Sequence, residues 1–126
     1  MFQVLKQSKG SVLGVEIRGE YTKADVEEFK KAFEGKIAEG HDRVNVLVKI
    51  DKLNLGKIHV NAFVEDSMYA LKHLKQLRHI AVVGDSKLEK ALIKLDNKLF
   101  GKKKKELIEK YFDVAEIDKA WEFVRS

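Results

Sequence analysis

The chain has 126 residues, 44% hydrophobic and 36% charged, with 25 Lys and Arg against 20 Asp and Glu. This length fits one domain over residues 1–126 that buries its own core, and the apolar content excludes an intrinsically disordered chain. The absence of cysteine excludes disulfides, thiolate metal sites and cysteine catalysis and suits a reducing, cytoplasmic compartment, while no apolar run nears the ~20 residues of a membrane span.

Phe2 to Lys6 reads as a short strand and Ser8-Lys9-Gly10 as a turn. Val12 to Ile17 is a second strand, and the short connection predicts an antiparallel hairpin. Thr22 is placed to cap a helix, with Asp25, Glu27 and Glu28 near the positive end of its dipole. Val26, Phe29, Phe33 and Ile37 form its apolar stripe, and Gly40 stops it. Val44, Val46 and Val48, with Leu47 and Ile50, read as a strand buried on both faces.

Asp51 to Lys57 is a loop broken by Asn54 and Gly56. Val60, Phe63, Val64, Ser67, Leu71 and Leu74 mark a second helix. His79 to Val83 is a further buried strand, closed by Gly84-Asp85. Ser86 and Glu89 form a capping box for a third helix, which carries Leu88, Ala91, Leu92, Leu95 and Leu99 and ends at Gly101. After a lysine tract, Leu107 to Phe112 is the last strand, and Asp113 caps a final helix with Ile117, Ala120, Trp121 and Val124 on one face. Alternating strands and helices predict a mostly parallel sheet with right-handed crossovers and an antiparallel first strand.

This order resembles the SpoIIAA-like family of STAS/CRAL-TRIO-type domains over nearly the whole chain. The matching phrases are Val12-Leu13-Gly14-Val15, Ile80-Ala81-Val82-Val83-Gly84-Asp85, and Tyr111-Phe112-Asp113 ahead of a helix with Ala120-Trp121. The resemblance implies a SpoIIAA-like α/β fold: a five-stranded, mostly parallel sheet with an antiparallel N-terminal edge strand and four helices. Anti-sigma-factor antagonists on this fold carry a phosphorylatable Ser or Thr after the central strand. Here Lys23 to Asp66 contains neither, and Ser67 falls in mid-helix on the apolar stripe, so the phospho-switch is not expected. Lipid-transfer relatives wrap their ligand with added helices, which this chain lacks.

Ligands of open α/β sheets bind beyond the carboxyl ends of the strands. Glu20, Asp51, Asp85 and Asp113 fall there. Convergence of Glu20, Asp51 and Asp85 would make a hard-cation site or a small enzyme, but turn and cap roles explain these acids more simply. His41, His59, His73 and His79 have no metal-ligand spacing, and there is no Walker loop or dinucleotide fingerprint. No metal, cofactor or catalytic residue is therefore expected.

The charge is unevenly placed. Residues 86–110 hold nine Lys and four acids, and the other residues balance to zero. Lys87, Lys90, Lys94 and Lys98 make one stripe of the third helix, extended by Lys102, Lys103, Lys104 and Lys105. Such a stripe is a solvated face or a dock for an anionic membrane surface or acidic protein. Nucleic acid is disfavoured, since only Phe100 interleaves with the lysines. Leu53, Leu55, Ile58, Phe63 and Met68 are the candidate contacts for a protein partner, a small apolar ligand or a second copy in a homodimer. The expected function is a non-enzymatic binding or regulatory module. The alternatives are the acid-based site and a plain homodimeric domain.

Overall fold

The structure is a computed structural model that describes residues 2–19, 22–51, 76–85 and 108–126, with Asp51, Ile108 and Glu109 as backbone only. The elements are β1 (Phe2–Val4), β2 (Val12–Arg18), α1 (Lys23–Ala38), β3 (Val44–Asp51), β4 (Leu77–Gly84) and β5 (Ile108–Asp113). A 3₁₀ turn (Val114–Glu116) then leads into the C-terminal helix α2 (Ile117–Arg125). The second and third expected helices fall on 60–74 and 86–101, outside the described residues.

The five strands form one sheet in the order β1-β2-β3-β4-β5. β1 is antiparallel to β2, and the other neighbours are parallel. The mixed sheet with an antiparallel N-terminal edge matches the expectation.

α1 begins at Thr22 as the sequence predicts. The Thr22 Oγ1 accepts from the Asp25 N–H at 3.4 Å, and Asp25 Oδ2 accepts from the Thr22 N–H at 2.9 Å. This reciprocal cap satisfies two backbone donors that the first turn of a helix leaves orphaned. At the other end Gly40 adopts φ +100°, the left-handed conformation that lets the chain leave the helix.

The sheet is buried on both faces because alternate residues point to opposite sides. On one face Leu13, Val15, Val44 and Val46 pack against Phe33 and Phe29 of α1, and Ile17 and Ile50 against Val26. On the other, Val12, Leu47, Ala81 and Val83 pack against Ala120, Trp121 and Val124 of α2. Fully burying side chains such as Phe33 contributes roughly 1.5–3 kcal/mol each.

Two irregularities interrupt the regular pairing of the sheet. Val44 pairs with Leu77 but Val46 pairs with Ile80, so β4 carries one extra residue at a bulge. Leu77 and Ile80 consequently pack in the same cluster on the α1 face. β1 is shorter than the sequence predicts, ending at Val4. Beyond it the Leu5 N–H still donates to the Gly14 carbonyl at 2.8 Å, and the Ser8 side chain completes the pairing: its Oγ accepts from the Gly14 N–H at 2.8 Å and donates to the Gly14 carbonyl at 3.0 Å.

The last junction also differs from expectation. Asp113 caps the 3₁₀ turn rather than α2, accepting from the Ala115 N–H at 3.0 Å, and the turn delivers the chain to α2.

Candidate functional site

The carboxyl ends of β2 to β5 form one edge of the sheet. There the chain presents Arg18 and Gly19, Asp51, Asp85 and Asp113. Gly84 pairs with Asp113, so Asp85 follows directly beside that acid. The Asp113 carboxylate is occupied as a cap, and the Asp85 side chain is exposed. Glu20 and the Asp51 side chain lie outside the described residues. Among the described residues no group of three His, Asp or Glu could hold a metal ion.

Just inside this edge, Glu16 on β2 and Lys49 on β3 are register partners. Their side chains meet at 3.2 Å, and Arg18 approaches the same carboxylate at 3.6 Å. Glu16 is largely shielded from solvent and has its charge matched by these two bases, so it serves the sheet rather than an open anionic pocket.

The apolar candidates Leu53, Leu55, Ile58, Phe63 and Met68, and the lysines Lys87, Lys90, Lys94, Lys98, Lys102, Lys103, Lys104 and Lys105, all lie outside the described residues. Their points of attachment are described. The first group follows β3 at Asp51 and the second follows β4 at Gly84, and these strands are neighbours in the sheet.

At the opposite, amino end of β3 and β4 lies a polar cluster that the sequence reading did not single out. Asn45 and His79 are both buried among apolar residues. The Asn45 Oδ1 accepts from the His79 N–H at 3.1 Å, and its Nδ2 donates to the Val124 carbonyl at 2.6 Å. The His79 Nδ1 lies 3.2 Å from the Phe123 carbonyl. A carbonyl only accepts, so Nδ1 carries the proton and donates. The His79 ring stacks on Phe123 with centroids 4.7 Å apart, and the Lys110 ammonium lies 5.1 Å from the same Phe123 ring. Burial, and next the positive charge of Arg78, hold the His79 imidazole below the ordinary histidine range. Lys110 acts in the same sense, and the bond to Phe123 opposes them.

One signal for this cluster was present in the sequence. Asn45 interrupts the apolar run from Val44 to Val48, and a buried amide must find partners. The partners themselves follow from the bulge and from the docking of α2, which composition does not encode.

A five-stranded mixed sheet covered by α1 on one face and α2 on the other defines an α/β protein of SpoIIAA-like architecture. An uncharacterised protein from Shewanella loihica with a SpoIIAA-like fold is similar to it, with TM-score 0.65 and 19% identity over 98% of this chain and 92% of that one. The family model described as SpoIIAA-like matches residues 12–125, and the chain belongs to the SpoIIAA-like family. No curated protein matches it.

Proposed function

We propose that this chain is a non-enzymatic binding module of the SpoIIAA-like family that docks on an anionic lipid surface through its basic segment. The observation that carries the reading is the segregation of charge: nine of the lysines fall within residues 86–110, and the rest of the chain balances to zero. A juxtamembrane lysine contributes about 1 kcal/mol to association with an acidic bilayer. Leu99, Phe100 and Gly101 precede Lys102 to Lys105, a short apolar tip beside four positive charges. Among the described residues no helix is long and apolar enough to cross a membrane, and the reading is one of peripheral attachment.

The same reading gives the chain four helices in one domain acting in the cytoplasm. The two further helices occupy the parallel connections β3–β4 and β4–β5, which are right-handed in nearly all known sheets. Leu53, Leu55, Ile58, Phe63 and Met68 then supply an apolar contact beside the basic segment, reached from the neighbouring strand.

Cosedimentation with phosphatidylserine-containing vesicles tests the docking. Binding at low salt that is lost when Lys102 to Lys105 are replaced by Ala supports it. Equal binding to neutral vesicles overturns it. Native mass spectrometry of the purified chain separates this module from a plain homodimer.

A further inference from the structure

We propose that His79 is a proton-operated latch on α2: its neutral ring holds the last turn of the helix against the sheet, and protonation releases that turn.

The geometry places the ring where it can do this. Helix C-termini leave carbonyls without intrahelical partners. Here two successive carbonyls of α2 are tied to the sheet, Val124 by Asn45 and Phe123 by His79, and the Phe123 carbonyl also accepts from the Ser126 hydroxyl at 2.7 Å and the Ser126 N–H at 3.4 Å. His79 reaches α2 from the bulged start of β4, and the Asn45 amide clamps its backbone. The ring also stacks on Phe123, so one side chain grips both the backbone and the side chain of the last turn.

The charges around it make that grip depend on protonation. β4 presents Arg78 and β5 presents Lys110, both positive, whereas β3 presents the neutral Asn45. α2 presents the Phe123 carbonyl and ring, while its nearby Glu122 and Arg125 are exposed and Arg125 lies over Trp121. A second ring proton would put an imidazolium into a buried position that already feels the positive charges of Arg78 and Lys110. The Phe123 carbonyl stabilises it only in part, which agrees with the depressed affinity of His79 for protons.

The sign follows. The folded ring takes its proton at lower pH than an unfolded histidine, whose value is 6.5. The latch is therefore complete above about pH 6.5 and weakens as pH falls through the lower folded value. Release would uncover the apolar row Val12, Leu47, Ala81 and Val83 that α2 now covers.

The chain carries its own reporter, because Trp121 is its one tryptophan and sits on the buried side of α2. Acrylamide quenching of Trp121 is measured from pH 8 to pH 5 at fixed ionic strength, with far-UV circular dichroism in parallel. The expected result is at least a twofold rise in quenching below pH 6.5 with most of the far-UV signal kept. In His79→Gln the rise is absent, and in His41→Gln, which alters a histidine paired with Glu39, it is retained. A flat wild-type curve, the same rise in His79→Gln, loss of the rise in His41→Gln, or concerted loss of the whole far-UV signal overturns the latch. If His79→Gln does not fold, an NMR titration of wild type decides. A His79 ring titrating below 6.5 together with the Trp121 indole signal supports the proposal, and one titrating at 6.5 or above overturns it.

Discussion

The Trp121 indole lies directly against the backbone of Gly14, where a β-carbon would stand 3.1 Å from Cζ3, 3.3 Å from Cζ2 and in collision with Cη2. Gly14 is needed for its missing side chain, because its φ is not in the left-handed region. β2 offers α2 a flat seat at this position. Gly14→Ala should destabilise the fold by roughly 1–3 kcal/mol, the range for overpacking a tight core, and Trp121→Ala by roughly 3–5 kcal/mol through the cavity it leaves. Urea unfolding followed by circular dichroism measures both. A neutral Gly14→Ala would show that α2 does not dock as described.

Asn45→Ala should cost about 1–3 kcal/mol, because it leaves the buried His79 N–H and Val124 carbonyl without their partner. The loss should concentrate in α2. Hydrogen exchange in the variant should accelerate at Val124 and its neighbours before it changes in α1.

The cap of α1 gives a local test. Thr22→Ala removes one half of the reciprocal pair with Asp25 and should cost about 1 kcal/mol, whereas Thr22→Ser should keep most of it. The midpoints of thermal or urea unfolding for the two variants check this directly.

Glu16 and Lys49 face each other across β2 and β3 with their charges 3.2 Å apart. A double-mutant cycle with Glu16→Gln and Lys49→Met should return a coupling of about 0.2–1 kcal/mol, as for other cross-strand ion pairs. Raised salt should shrink it.

Much of this architecture was legible because periodicity reports burial. The run from Val44 to Ile50 is apolar on both faces, and β3 is indeed covered by α1 on one side and α2 on the other. Thr22 and Gly40 marked the ends of α1 because their side-chain chemistry acts locally. Strand order was not legible, since a right-handed crossover fixes the hand of a connection and leaves the neighbour open. The bulge was hidden for a related reason: an extra residue in β4 exists only relative to β3. The sequence starts this buried strand at His79, whereas β4 begins two residues earlier at Leu77, which sets His79 inside the strand against α2. The need for glycine at position 14 is not visible in the sequence, because its partner Trp121 is 107 positions away.

Binding of the basic segment to an acidic bilayer is measured directly by a partition coefficient. It would be determined on phosphatidylserine/phosphatidylcholine vesicles at low and high salt, for wild type and for the variant with Lys102, Lys103, Lys104 and Lys105 changed to Ala. At about 1 kcal/mol per lysine, the variant should partition at least about a hundredfold more weakly at low salt, and wild type should lose most of its binding at high salt. Wild-type partitioning that ignores salt, or that the four substitutions leave unchanged, would contradict the proposed function.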